Sequence, residues 1–334
     1  MSLRWILVAA TLALTFPAAG VRAAESLVVY TARNEQLVRP VFDAYTKATG
    51  VEIRYTTADA AVLIERLAAE GRNSPADVLM TVDAGELWNA ARRGLLQPVQ
   101  SATLDKNIPA NLRDPEGRWF GLSVRARTIA YAPSRVDPKQ LGTYAGLAGP
   151  EWKGRLCLRT SKKVYNQSLV ATMIAALGEA RTEQVVRGWV ANLAAPVFAN
   201  DTALLEAIAA GQCDVGIANT YYYGRLVKER PDFPVRLFWA NQGAGGVHVN
   251  ISGAGVVATS RRAEAATRFL EWLSAGEAQR HFAAVNFEFP ANPSAAVDPL
   301  VKSWGPFEAD PINVAEAGRL QADAVRLMDR AGYR

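Results

Sequence analysis

Short β-favouring runs alternate with amphipathic stretches over the first hundred residues, and this alternation restricts the fold more than any other feature of the chain. Leu27-Val28-Val29-Tyr30 is a strand candidate. Asn34 then suits the N-cap of a helix that carries Leu37, Val38, Val41, Phe42 and Tyr45 at helical spacing and stops at Gly50. Val51-Glu52-Ile53-Arg54-Tyr55 alternates as a strand does, and a helix over 61–70 follows with Val62, Leu63 and Leu67 on one side. The run Asp77-Val78-Leu79-Met80-Thr81 leads into Asp83 and a helix reaching Arg93. This βαβαβ order in about 65 residues predicts a mostly parallel sheet covered by helices on both faces.

The pattern returns in the second half, with strand candidates at 156–159, 196–198 and 214–218 and helices over 166–177, 203–210 and from about Tyr222. A chain of 334 residues, 50% hydrophobic and 21% charged, buries a large core and has the length of two domains. Two α/β units predict two lobes with a cleft between them. In open parallel sheets ligands sit beyond the carboxyl ends of strands, which directs attention to Arg33, Tyr165 and the run Tyr221-Tyr222-Tyr223.

Arg4, the apolar stretch 5–16, Pro17 and small residues up to Val21-Arg22-Ala23 predict a secretory signal peptide over 1–23, too short to span a bilayer. The mature chain is expected in the periplasm. Lys plus Arg number 37 against 32 Asp plus Glu, and they are scattered singly or in pairs such as Arg92-Arg93, which argues against a nucleic-acid partner. Two histidines and two cysteines are too few for a zinc cluster. In an oxidising compartment Cys157 and Cys213 are expected to form a disulfide rather than a metal pair or a nucleophile.

Tyr165 lies eight positions after Cys157, and Tyr221 lies eight after Cys213. A bridge between the cysteines would set two neighbouring strands running towards the same end of the sheet, each delivering a tyrosine at its exit. Both exits read as helix starts, with Asn166 or Ser161 and Asn219 or Thr220 available to cap, and helix N-termini favour negative charge. Phenols titrate near 10, so a hard trivalent cation is needed to favour phenolates at neutral pH, and three phenolates match the charge of ferric iron. The competing reading is an aromatic patch that merely packs or stacks on a sugar. Ser123, Arg125 and Arg127 alternate on a strand over 122–131 and therefore share one face. An arginine there could hold a small anion such as carbonate, bidentate, whose remaining oxygens complete the metal's octahedron. The alternative is a surface pair with acidic neighbours.

These residues resemble a known family. Tyr30-Thr31-Ala32-Arg33, Ser74-Pro75-Ala76-Asp77-Val78, Ser123-Val124-Arg125-Ala126-Arg127 and Trp152-Lys153-Gly154-Arg155-Leu156-Cys157 are similar to motifs of the bacterial periplasmic ferric-ion-binding proteins, transferrin-like receptors of ABC iron importers. So are Tyr165-Asn166-Gln167-Ser168, Ala218-Asn219-Thr220-Tyr221-Tyr222, Asn250-Ile251-Ser252-Gly253-Ala254-Gly255 and Phe289-Pro290-Ala291-Asn292-Pro293. The resemblance covers nearly all of the mature chain, and its most specific element is one separate tyrosine plus an adjacent pair.

It implies an α/β, two-lobed type II periplasmic-binding-protein fold, each lobe a mixed, mostly parallel sheet flanked by helices. The expected N-terminal lobe is 24–124 plus 250–300, and the C-terminal lobe 125–249 plus 301–334. Tyr165, Tyr221 and Tyr222 match the family's iron ligands; Arg33 and Arg125, or Arg127 in its place, match the anion-holding positions. Tyr223, about 100° further round a helix, faces elsewhere. Some members carry His-Tyr where this chain has Asn34-Glu35; Glu35 is then either a carboxylate ligand or simply the opening residue of the first helix. His281 is read as structural or exposed, and His248 as part of a glycine-rich loop or hinge over 243–250. The implied solute is ferric iron (Fe3+) with a synergistic anion, carbonate, and the implied partner is an inner-membrane ABC permease; the protein itself is read as a monomer that does not span the membrane. The same fold binding a small organic solute or anion is the alternative. A secreted hydrolase built on Ser252 or Ser168 lacks the G-x-S-x-G elbow, so no enzyme is expected.

Overall fold

The opening elements form where hydrophobic periodicity puts them: β1 (Ser26–Thr31), α1 (Glu35–Thr49), β2 (Glu52–Thr57), α2 (Ala60–Glu70), β3 (Val78–Thr81) and α3 (Ala84–Arg92). The structure, a computed structural model, describes residues 26–334, so the expected signal peptide lies outside the described residues. α1 buries Val38, Val41, Phe42 and Tyr45 and ends at Gly50, whose φ of 76° needs a residue without Cβ strain. β1 pairs in parallel with β2 and β3, giving the expected βαβαβ unit.

The chain continues through α4 (Ala102–Asn107), β4 (Phe120–Tyr131), β5 (Leu156–Cys157), α5 (Val164–Leu177), α6 (Glu179–Ala191), α7 (Asp201–Ala209), β6 (Val215–Asn219) and α8 (Thr220–Glu229). It ends with β7 (Arg236–Phe238), β8 (Val249–Val256), α9 (Ala263–Ser274), α10 (Gly276–Ala284), β9 (Phe289–Pro290), α11 (Pro299–Lys302), α12 (Ala315–Arg319) and α13 (Gln321–Arg330).

The strands lie in the order β2-β1-β3-β8-β4-β6-β5, with β7 and β9 adding to β4. β1–β2, β1–β3 and β5–β6 are the parallel pairs, and each antiparallel pair includes β4 or β8. All twelve residues of β4 are buried. Through Ala126 the strand pairs with β8 and β9; from Arg127 onward it pairs with β6 and β7. One strand therefore serves two sheet halves, which is how a mixed α/β sheet with flanking helices becomes two-lobed with a cleft.

The structure differs from the sequence reading in places with clear physical causes. Residues 196–198 form no strand; Phe198 makes a single parallel bridge to Arg159 just beyond β5, and Pro196 has no N–H to extend a ladder. β8, unforeseen as a strand, is buried along all eight residues; Val249-Asn250-Ile251-Ser252 alternates, but Gly253 and Gly255 weaken the strand signal beyond it. Its Gly255 admits the neighbouring chain closely, since a Cβ there would lie 2.3 Å from the carbonyl oxygen of Arg118. At the far end of the chain α12 packs on both α3 and α5. Among the described residues no helix is long and apolar enough to cross a membrane.

Cys157, the last residue of β5, and Cys213, two residues before β6, are bonded, with Cα atoms 5.9 Å apart. The bridge closes a loop of 56 positions. Replacing both cysteines by Ala should lower unfolding free energy by about 4 kcal/mol in a urea titration, and a loss under about 1 kcal/mol would contradict that loop-closure account.

Candidate metal and anion site

A cavity of about 480 Å3 lies where the carboxyl ends of the strands converge, and Tyr165, Tyr221 and Tyr222 all line it. Tyr165 is the second residue of α5, and Tyr221 and Tyr222 are the second and third of α8. The disulfide-linked β5 and β6 run parallel into these two helices, so both tyrosine turns face one place. The rings of Tyr221 and Tyr222 lie 4.4 Å apart between centroids. The Tyr221 hydroxyl hydrogen-bonds that of Tyr165 and accepts from Asn219 Nδ2 at 3.4 Å; the Tyr222 hydroxyl accepts from Arg159 Nη1 at 3.3 Å. Tyr223 turns away and packs against Trp304.

Burial makes two of these phenols, Tyr165 and Tyr221, hard to ionise. It pushes Tyr165 up to about 12, with Tyr222 adding to the rise and Arg125 and Arg159 opposing it. Burial also lifts Tyr221 well above the usual value, reinforced by Tyr165 and Tyr222. Removing the Tyr165 proton at pH 7 then costs about 7 kcal/mol. Cations crowd round to offset it: Arg125 and Arg159 each lie 5.4 Å from the Tyr165 ring centroid, and Lys163 Nζ lies at 5.2 Å. Among the described residues no group of three or more His, Cys, Asp or Glu is placed to hold a metal ion.

The arginines divide. Arg33 and Arg125 both line the cavity. Arg33 Nη1 donates to Glu288 Oε2 at 3.0 Å and to Ser123 Oγ at 3.3 Å, which leaves Nε and Nη2 buried without partners. Arg125 donates to the Val82 carbonyl, lies 3.8 Å from Asp83, and keeps Nη1 unpartnered. Unpaired buried donors are costly, and these three, with the unpartnered Ser252 hydroxyl on the same wall, suit an oxygen-rich anion. Arg127 is different: it does not line the cavity. Its guanidinium is buried and donates to Asp201 Oδ2 at 2.9 Å, Asn166 Oδ1 at 2.9 Å, Asn219 Oδ1 at 3.1 Å and the Ile217 carbonyl at 3.0 Å. Asn166 and Asn219 are thus taken up by Arg127 and cap neither α5 nor α8 through their side chains.

The fold agrees with what the chain resembles. The family model for bacterial extracellular solute-binding proteins matches residues 30–280. The chain belongs to that family. Iron uptake protein A2 from Synechocystis is 44% identical over 313 residues, covering 91% of this chain and 89% of that one. Among solved structures, the Trichodesmium protein IdiA (FutA), in complex with iron and citrate ligands, superposes with a TM-score of 0.89 at 44% identity, over 92% of this chain and 100% of that one. The ferric binding protein of Campylobacter jejuni gives 0.86 at 33% identity, over 92% and 100%.

In this solute-binding protein Glu35 opens α1 at the surface, where it accepts from Arg39 and from the Tyr55 hydroxyl; it does not line the cavity. His281 is exposed on α10. His248 is buried just before β8, and burial drives it down to about 3, so it stays neutral. Sequence reasoning missed Arg159, Lys163, Arg225, Glu86 and Glu288 on the cavity wall. Arg225 was within reach of it, being three and four positions beyond the tyrosine pair on one helix. Burial and nearby Asp83 push Glu86 up to about 8.

Because Arg127 joins four segments inside the protein, Arg127→Met should leave Asp201 short of its main partner. The expected loss of unfolding free energy is about 3–5 kcal/mol, read by denaturant titration, and a neutral result would refute the anchoring role.

Proposed function

We propose that the solute is ferric iron, bound by the phenolates of Tyr165, Tyr221 and Tyr222, with an anion held by Arg33 and Arg125. The observation that supports this most is the convergence of three phenols from two helix starts on one cation-walled cavity, in a relative of proteins named for iron uptake. Three phenolates neutralise a trivalent cation and supply the hard oxygen donors it prefers; a ferrous ion, softer and of lower charge, offsets the deprotonation less well. Carbonate is our choice of anion, since a planar oxyanion matches the free Nε–Nη2 edge of Arg33. The volume of about 480 Å3, and the citrate in the Trichodesmium relative, favour a polycarboxylate as the second reading of that anion.

The protein does no covalent chemistry in this reading. It works in the periplasm after signal-peptide removal and delivers iron to an inner-membrane ABC permease. The lobes, 24–124 plus 250–300 and 125–249 plus 301–334, open and close about β4 and the start of β8. Glu35 takes no part in ligation, and Arg127 holds the tyrosine turns rather than the anion.

Ferric iron supplied with bicarbonate should produce a visible phenolate-to-iron charge-transfer band, which Tyr222→Phe shifts or abolishes. Absence of the band, with thermal stability unchanged in excess iron, overturns the proposal. The same chemistry sets a pH dependence. The raised values of Tyr165 and Tyr221 mean that their protons leave only on binding, so affinity climbs with pH and falls on acidification. Potentiometry should count about three protons released per iron from the phenols, and about one more if bicarbonate binds as carbonate; a count near zero would exclude phenolate ligation.

A further inference from the structure

The segment between α10 and β9 meets α8 across the mouth of the cleft. α10 packs on β4 and α1, and β9 pairs with Ser123-Val124, so this segment belongs to the β8 side of the sheet. α8 belongs to the β6 side. Arg225 Nη2 donates to Asn286 Oδ1, and Asn286 Nδ2 donates to Glu288 Oε1 at 2.9 Å. Glu288 Oε2 in turn accepts from Arg33 Nη1 and Ser123 Oγ. One amide therefore links the arginine beside the paired tyrosines to the carboxylate that neutralises Arg33.

Charge fixes the orientation of that amide. Turned over, Asn286 would set N–H against guanidinium and carbonyl against carboxylate. An amide also holds a guanidinium without cancelling its charge, as a carboxylate would. The held charge is well placed, because Arg225 Cζ lies 5.3 Å from the Tyr221 ring centroid and 5.6 Å from that of Tyr222, within cation–π range.

The backbone carries a second, independent mark. Phe287 has φ of 53°, a conformation that strains a bulky residue and persists only where surrounding packing imposes it. Its Cβ fills the place beside Gly224, where an added Cβ would come within 2.8 Å of it. Gly224 therefore lets α8 approach the segment closely, one residue before Arg225.

We propose that Asn286 is a positioning residue for the iron site, holding Arg225 beside Tyr221 and Tyr222 from the opposite half of the molecule. Arg225 shares α8 with both tyrosines, so closing the cleft fixes its guanidinium against their rings through Asn286, and opening the cleft releases that hold. The inference rests on the iron reading above and adds a coupling between the two halves that the ligand set alone does not contain.

The test uses the mature protein loaded with ferric iron and bicarbonate, and follows decay of the charge-transfer band in excess EDTA. Asn286→Ala should release iron about tenfold or more faster, the range expected for losing a hydrogen bond to a charged group. Arg225→Ala should do the same, and the double variant should be no faster than the faster single, because both remove one interaction. Gly224→Ala, which forces Phe287 away without touching a polar group, should also accelerate release. A release rate in Asn286→Ala equal to that of the unaltered protein, or single effects that multiply in the double variant, overturns the inference while the iron reading stands. Should Asn286→Ala fail to fold, wild-type release from both Arg225→Ala and Gly224→Ala overturns it equally. An unaltered protein with no band overturns the iron reading and this inference together.

Discussion

Arg127 is among the largest side chains that the protein buries completely, and the placement of both tyrosine turns depends on it. Its donors reach Asn166 in α5, Asp201 in α7, Ile217 in β6 and Asn219 at the start of α8, so one planar fork sets β4, two helix starts and a third helix in fixed relation. A buried ion pair is weak evidence for net stability, because desolvation offsets much of the attraction. Its geometry is another matter. A guanidinium satisfied on four sides tolerates little displacement of any partner, and Asn166 and Asn219 each adjoin or nearly adjoin a tyrosine of the cavity. The disulfide brings the two strands together; Arg127 then orients the helix starts beyond them.

The charge of the cavity follows a consistent logic. Arg33, Arg125, Arg159, Lys162, Lys163 and Arg225 line it, against Asp59, Glu86 and Glu288. Glu86, pushed up to about 8, contributes little negative charge at neutral pH. The cations of such a wall offset part of the cost of burying a phenolate and repel a bare cation until phenolates or an accompanying anion balance it. Trivalent iron with three phenolates is neutral, which leaves the surplus of the wall for an anion. Buried unpartnered donors on Arg33, Arg125 and Ser252 point to where that anion would be held.

How much of this was legible in the sequence varied with how local each cause is. Helical periodicity placed α1 and α2, and the matched spacing from Cys157 to Tyr165 and from Cys213 to Tyr221 put the tyrosines at neighbouring strand exits. Alternation correctly set Ser123, Arg125 and Arg127 on one strand but could not separate their duties. β4 changes partners between Ala126 and Arg127, and Asp201, which holds Arg127 inside, is 74 positions away. Glu288, which meets Arg33 from 255 positions away, left no local signal at all. β8 escapes because Gly253 and Gly255 interrupt its alternation after Ser252, and Glu35 is offered as a ligand only by its place beside Arg33 in the family's motif, which does not say which way a first-turn side chain points. The family resemblance supplied the tyrosine trio as ligands; the residues alone left a stacking patch open.

Polar contacts between the sheet halves bound how firmly a cleft of this kind could stay shut unaided. If it opens about β4 and β8, the ladder between those strands persists, while Ser168 must leave Asp83 and Arg225 must leave Asn286. Hydrogen bonds with a charged partner are worth about 1.5–3 kcal/mol each, and water re-solvates both sides once they part. A handful of such contacts leaves the two arrangements within a few kcal/mol of one another. A ligand that touches both halves can decide between states so closely matched, and it shifts the balance only by its difference in affinity for the two. On the proposed reading, a metal bound by phenols on one side with an anion held by Arg33 on the other would gain that difference, because its contacts span both halves.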